Sequence, residues 1–290
     1  MRRSGERRSG LQAAGTLVLA VAAFAWTLTL AGGGSLAAAA DESPDCGEAG
    51  ALTEPTKKTI AMKLVSSAEN SSLDWRAQYR YLEYKVEGNR AENRGYTGGT
   101  IGFTSRTGDM LELLRYLRSI RSHSRLASYI PALRRASGTT GRQGLGAGFR
   151  RAWRAAANKQ AFRQGQDHER DLHYFCPAIR RAQRDGLGAL GQFIYYDAIV
   201  VHGPGADRDS FGGIRGEALG RAGAPAEGGE EQSYLNAFLD VRRAAMRRES
   251  AHEDTSRVDT AQRVFLDAGN LELDPPLQWS TYGDRYSIPQ

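Results

Sequence analysis

The chain has 290 residues, 39 Lys and Arg against 33 Asp and Glu, a net charge of +6 and only two cysteines. So small an excess gives no ground for inferring a polyanionic partner. The length supplies ample core for one domain, of one lobe or two, without a required disulfide bridge.

The first forty residues read as an export signal. Arg2, Arg3, Arg7 and Arg8 form a basic start, 11–30 is rich in Leu, Ala, Val, Phe and Trp, and Ala38-Ala39-Ala40 offers small residues for cleavage. The apolar run approaches membrane-spanning length, but its flanks favour a cleaved peptide over an anchor. Arg7-Arg8-Ser9-Gly10-Leu11 matches a twin-arginine signal only in part. Cleavage removes four arginines and Glu6, leaving about +3. Residues 41–54 are expected to be a loose leader. Cys46 lies in it; a bridge to Cys176 is permitted outside the cell, the fold does not require one, and the sequence leaves open whether the two pair.

Ile60, Leu64, Val65 and Ala68 make one apolar stripe at helical spacing. Glu69 follows, then Asn70, Ser71 and Ser72, whose side chains compete for backbone hydrogen bonds, so the carboxylate sits where a helix stops. Trp75, Tyr79 and Leu82 predict a second helical run over 75–84. A polar stretch with Glu87 and Glu92 leads into RGYTGGTIGF, whose aromatic, β-branched and Gly residues suit a short twisted strand or hairpin. Two carboxylates on facing elements are what acetal hydrolysis needs, one protonated to serve the leaving oxygen and one ionised to activate water or attack carbon. Any single Glu, however, is ordinarily a solvated surface residue.

Farther on, Met110, Leu111, Leu113, Leu114 and Leu117 predict a helix with Asp109 at its cap or first turn. The arginines of 115–163 alternate with Leu, Ile and Ala on amphipathic helices around a Gly-rich loop at 138–148, which favours a solvated face over a nucleic-acid patch. His168, Glu169 and His173 miss the i, i+4 spacing of a zinc-protease helix. Glu249 and His252 resemble half of a di-iron motif whose other half is missing, so no metal is expected. The stretch 179–202 is the longest apolar helix candidate, ended by Gly203-Pro204-Gly205. It carries Asp197, whose charge needs a partner in such a setting, and Arg242 and Arg257 are the natural ones. Residues 233–251 and 259–266 are helical by period, Glu249, His252, Glu253 and Asp254 cluster at a turn, and an irregular tail begins at Asp274-Pro275-Pro276.

The segments LVSSAENSSLDWRAQYRYLE, RGYTGG, TGDMLEL, LGQFIYYDAIVVHGPG, SFGGIR, YLNAFLDVRRAAM, DTSRVDT and QRVFLDAGNLELDPPLQW, collinear from about Lys57 to Tyr286, resemble glycoside hydrolase family 46, the chitosanases. The resemblance implies a mainly α, lysozyme-like fold, with a larger helical lobe and a smaller β-containing lobe flanking a cleft, over 55–290. It also implies endo-hydrolysis of β-1,4 bonds in chitosan with inversion and no cofactor. Glu69 is then the general acid, oriented by the chain Arg257, Asp197, Arg242, and Thr97 holds the attacking water. Arg94, Asp109, Tyr81, Tyr174, Glu249, His252 and Glu253 fall on sugar-binding positions. The segment YKVEGNRAEN is longer than the family's, and Glu92-Asn93 stands where the family has Asp-Gly. Alignment on Arg94-Gly95-Tyr96-Thr97 makes Glu92 the base, while the inserted residues leave Glu87 as the other choice. Two further readings are a carbohydrate-binding protein that keeps the cleft without turnover and a polyanion binder using the arginines. The expected product is a secreted monomer acting on chitosan, with no nucleic acid and no lasting membrane association.

Overall fold

The computed structural model describes residues 43–86, 93–249 and 254–290. Two apolar cores divide it. The larger gathers α1 (Pro55–Asn70), α6 (Cys176–Arg184), α7 (Ala189–His202), α8 (Phe211–Arg221), α9 (Glu231–Met246) and α10 (Arg263–Asp267). The smaller joins a three-stranded antiparallel sheet, β1 (Leu82–Tyr84), β2 (Tyr96–Gly98) and β3 (Phe103–Thr104), to α2 (Asp109–Ile120), α3 (Ile130–Ala136), α4 (Ala147–Ala156) and α5 (Gln160–Arg170). Trp75 and Tyr174 pack against both cores, which marks the junction. This is the mainly helical, two-lobed, lysozyme-like arrangement expected from the sequence, although the smaller lobe holds more helix than sheet.

The apolar stripe of α1 is buried as its spacing predicts, and the helix ends at Ser71, which turns left-handed at φ 48°. The 75–84 run is not one helix. A short 3-10 turn, Trp75–Arg80, gives way to β1, because the peptide after Tyr81 must pair with β2: Leu82 opposes Gly98, Glu83 opposes Thr97 and Tyr84 opposes Tyr96. A side chain at Gly98 would come within 2.7 Å of the Tyr81 carbonyl oxygen, so only glycine allows this approach.

The long apolar run over 179–202 is also interrupted. α6 stops at Arg184 and α7 starts at Ala189, because Gly186 turns left-handed at φ 77° and a Cβ there would meet the Ala226 backbone nitrogen at 2.9 Å. Every residue of α7 is buried, which fits its all-round apolar pattern. The tail is regular as well: β4 (Leu277–Thr281) and β5 (Asp284–Ile288) form a hairpin. It is bonded to the last turns of α1, with Trp279 Nε1 donating to Ser67 Oγ at 2.9 Å and Thr281 Oγ1 to the Ser67 carbonyl at 3.1 Å. Alternation of buried Leu277, Trp279 and Thr281 with Gln278 and Ser280 carries the strand signal.

Residues 43–54, expected to be loose, are tied along α6. Gln183 Nε2 donates to the Glu48 carbonyl at 2.7 Å, the Glu48 amide returns a bond to Gln183 Oε1 at 3.1 Å, and Leu52 is buried. This alignment brings Cys46 to Cys176, and the two are joined in a disulfide, the pairing that the sequence left open.

Candidate active site

Glu69 sits one residue before the end of α1, so its carboxylate leaves the helix where the chain turns away. Its side chain keeps 12% exposure, and Oε1 accepts a hydrogen bond from Arg257 Nη1 at 2.7 Å. Arg257 opens a π-turn, Arg257–Gln262, ahead of α10, and presents its other edge to Asp197 on α7: Nη2 donates to Oδ1 at 2.7 Å and Nε to Oδ2 at 3.2 Å. Arg242 on α9, fully buried, reaches Asp197 Oδ2 at 2.7 Å. The four residues therefore form one chain of ion pairs from the junction face into the larger lobe. Burial alone would raise the Asp197 carboxyl, but Arg257 and Arg242 overcome that and hold it down to about 2.

Sequence reasoning missed Gln262. Its Oε1 accepts from Arg242 Nη1 at 2.9 Å and its Nε2 donates to Asp197 Oδ2 at 2.7 Å, so it closes the network. A lone Gln in a helical pattern carries no sequence signal for such a role. Tyr282 was missed for the same reason. It stands at the turn of the β4–β5 hairpin with 48% exposure, its amide bonded to Ser256 Oγ at 2.9 Å, and its phenol is raised by burial and by Glu69, with Arg257 opposing.

Across the junction, Thr97 lies buried in β2, paired with Glu83 on one side and Thr104 on the other. The chain entering β2 is held firmly: Arg106 Nη1 donates to the Asn93 carbonyl at 3.1 Å, and Asn93 Oδ1 accepts from the Gly95 amide at 2.8 Å. Glu87 and Glu92, the two candidates for the base, lie outside the described residues, as do His252 and Glu253. Glu249 is described just past the end of α9, its amide bonded to the Met246 carbonyl at 3.0 Å. Tyr81 donates its hydroxyl to Glu83 Oε2 at 3.3 Å.

Asp109 is the first residue of α2, after Gly108 at the cap. Its Oδ1 accepts from the Thr104 amide, Thr107 Oγ1 and the Met110 amide, each at 2.7 Å, so it ties β3 to the helix start. Burial nevertheless pushes its carboxyl up to about 6, with those bonds opposing. Tyr174 lies in the same field: burial and then Asp109 raise its phenol, and Arg94 opposes. Asp109, Tyr174 and Arg94 thus converge from α2, the α5–α6 connection and the approach to β2.

His168 neighbours Glu169 in sequence and His173 lies four residues beyond it, so both reach its carboxylate, while the two histidines keep the i, i+5 spacing that misses the zinc-protease pattern. His168 Nδ1 lies 3.3 Å from Glu169 Oε1, His173 Nε2 lies 3.3 Å from Oε2, and Glu112 is 3.9 Å from the same nitrogen. Two carboxylates and a histidine could share a metal at such spacing. Here they neutralise one another: the Glu169 bond raises His173, and the two histidines hold Glu169 low against its burial.

Residues 63–277 match the sequence profile of Glycosyl hydrolase family 46. The chain is 55% identical over 272 residues to a chitosanase of Streptomyces sp. (strain N174), covering 94% of this chain and 96% of that protein. It is 34% identical over 231 residues to a chitosanase of Bacillus subtilis (strain 168), covering 76% and 80%. Among solved structures, chitosanase OU01 with substrate superposes with a TM-score of 0.75 at 57% identity, over 82% of this chain and 98% of that one. A Gynuella sunshinyii family 46 chitosanase in complex with chitotetraose gives 0.70 at 33% identity, over 80% and 97%. With the profile spanning most of the chain and the fold shared along nearly the whole length of these relatives, the chain belongs to glycoside hydrolase family 46.

Proposed function

We propose that the protein is a secreted, monomeric, endo-acting chitosanase that inverts the anomeric carbon, with Glu69 as general acid and Glu92 as general base. The observation that carries the reading is the hold of Arg257 on Glu69, backed by Asp197 and Arg242. A general acid ends its step as a carboxylate, and a guanidinium bonded to its oxygen stabilises that product while fixing the direction from which the proton is delivered. Arg257 is itself fixed by Asp197, so it needs no reorganisation during the step.

On the opposite face, inversion requires a second carboxylate set roughly 6.5–9.5 Å from the acid, with a water between them. Glu92 aligns with that role and Thr97 with holding the water. The substrate is a polyamine, so Asp109, Glu249 and Glu253 act on it as local negative charges, and a cleft of that sign attracts it although the chain as a whole is basic. No cofactor enters the reaction.

Hydrolysis of soluble chitosan, read as new reducing ends, tests the reading. Glu69→Gln should lose at least about a hundredfold in turnover while keeping its circular dichroism and its affinity for chitooligosaccharide, because an amide cannot donate a proton as an acid does. An unchanged rate removes Glu69 from the mechanism. Binding without turnover in the unaltered chain makes it a carbohydrate-binding protein instead. Among the described residues no helix is long and apolar enough to cross a membrane. Export with cleavage near Asp41 is checked by N-terminal sequencing of protein from the culture medium, and an intact Met1 in the membrane fraction refutes it.

A further inference from the structure

Both ends of the π-turn Arg257–Gln262 face one carboxylate. Arg257 Nη2 donates to Asp197 Oδ1 at 2.7 Å, and Gln262 Nε2 donates to Oδ2 at 2.7 Å. In an α-helix, at about 3.6 residues per turn, residues five apart point about 140° away from each other and would not share so small a target. The wider i→i+5 turn brings them to the same face, and such turns recur at functional sites.

Gln262 does more than share Asp197. Its Oε1 accepts from Arg242 Nη1 at 2.9 Å, while Arg242 Nη2 lies 2.7 Å from Asp197 Oδ2. Gln262, Arg242 and Asp197 therefore close a ring of three bonds. Only one orientation of the amide satisfies it, nitrogen toward the carboxylate and oxygen toward the guanidinium. All three residues are buried, Gln262 at 1% exposure. Among the described residues Arg242 has no other hydrogen-bond partner: its Nε has none, and its Nη2 meets only the side chain and carbonyl oxygen of Asp197.

We infer that Gln262 is a positioning residue for the acid: it pins the far end of the π-turn to Asp197 and thereby fixes where Arg257 Nη1 stands when it holds Glu69 Oε1. The inference rests on Glu69 as the general acid. Without Gln262 the turn is tied to Asp197 at its Arg257 end alone, and one nitrogen of the buried Arg242 loses its partner. A misplacement of about 1 Å at a reacting group can cost about a hundredfold in rate, so a small slip of the turn matters. The neutrality of Gln262 matters too. Glu69 and Asp197 balance Arg257 and Arg242 charge for charge, and an amide serves an anion and a cation together without disturbing that balance.

The test compares Gln262→Met, which fills the space without either bond, with Gln262→Glu. When protonated, the new carboxyl reproduces the amide, with a donor toward Asp197 and an acceptor toward Arg242; once ionised it has no donor and meets Asp197 as a like charge. kcat and KM on soluble chitosan are measured from about pH 4 to 7, the range of a perturbed carboxyl, with circular dichroism recording the folded fraction. Gln262→Met should lose at least about tenfold in kcat at every pH with KM within about twofold, because Gln262 is buried and out of reach of substrate. Gln262→Glu should come within about threefold of the parent kcat at the acidic end and fall at least about tenfold below it as the new carboxyl ionises, while still folded. A Gln262→Met kcat within about twofold of the parent overturns the inference, as does a loss in either variant that follows its unfolded fraction. So does a ratio of Gln262→Glu to parent that is the same at every pH. Should Gln262→Met not fold, the pH course of Gln262→Glu decides alone. Glu69→Gln measured alongside separates this inference from the reading it rests on: an active Glu69→Gln removes the acid, whereas an inactive one beside an unimpaired Gln262→Met removes only the role of Gln262.

Discussion

Glu69 and Arg257 are 188 positions apart in sequence and 2.7 Å apart in space. The bond joins the last turn of the first helix to a π-turn near the end of the chain, and the site depends on both being held. The tail hairpin contributes by bonding Ser67 through Trp279 and Thr281, two residues before the acid.

Asp197 is expected to matter for stability as well as for rate. Its ionised form offsets two buried guanidinium groups, and removing it leaves them side by side, an uncompensated charge that costs about 3–5 kcal/mol. The fully buried helix around it supplies about 1.5–3 kcal/mol per large apolar side chain, enough to keep Asp197→Asn folded at 25 °C but with a lowered urea midpoint. The sign with pH follows from the depressed carboxyl. The stabilisation is complete above the unfolded value of 3.8 and is lost as pH falls through about 2. The difference in urea midpoint between parent and variant should therefore be constant from pH 7 to 4 and shrink below that. A difference under about 0.5 kcal/mol at pH 7 would mean the network is not structural.

Asp109 gives a separate pH signature. Its carboxyl is pushed up to about 6, so it changes charge in a range where an ordinary carboxylate does not. Below that pH it loses the negative charge proposed to meet a glucosamine ammonium. The profile of kcat/KM on chitosan should then carry an acidic limb near 6, with the rate falling as pH decreases, and Asp109→Asn should lack that limb at a lower plateau. A limb that survives the substitution belongs to another group.

The base assignment turns on two residues of the lengthened segment. The proposed base, Glu92, is one methylene longer than an aspartate, and the proposal requires room for a water between it and the acid. Glu92→Gln is expected to be nearly inactive and Glu87→Gln active, with early products in the α form by NMR. A dead Glu87→Gln reverses the assignment, and a β first product rules out inversion.

Tyr282, at the turn of the tail hairpin, is 48% exposed and within electrostatic reach of Arg257 and Glu69. Stacking of a sugar on such a ring is worth about 0.5–1.5 kcal/mol, so Tyr282→Ala should lower kcat/KM by roughly 2- to 12-fold and Tyr282→Phe should not. Equal losses in both variants would point to the hydroxyl instead.

What could be read beforehand was whatever depends on local period or on a family pattern. The stripe ending at Glu69 sets a helix stop, and the need of Asp197 for a cation follows from the apolar run around it. The split at Gly186 was hidden because apolar residues continue on both sides, and its cause is a distant backbone, that of Ala226. The bonds of His168 and His173 to Glu169 lie at i+1 and i+4 and are local, whereas the approach of Glu112 to His173 comes from another helix and leaves no sequence signal. Pairing of Cys46 with Cys176 depends on how the leader lies along α6, a tertiary fact. Gln262 and Tyr282 gain their roles only from neighbours brought by other elements.

The long reach between Glu69 and Arg257 also bears on the order of assembly. A ribosome releases the first helix early and Arg257 only when nearly nine-tenths of the chain has been made. Until then the acid has no guanidinium to hold it, and Asp197 has neither of its cations. A chain that stops short of Arg257 therefore carries Glu69 and Asp197 without the cation that pairs with both.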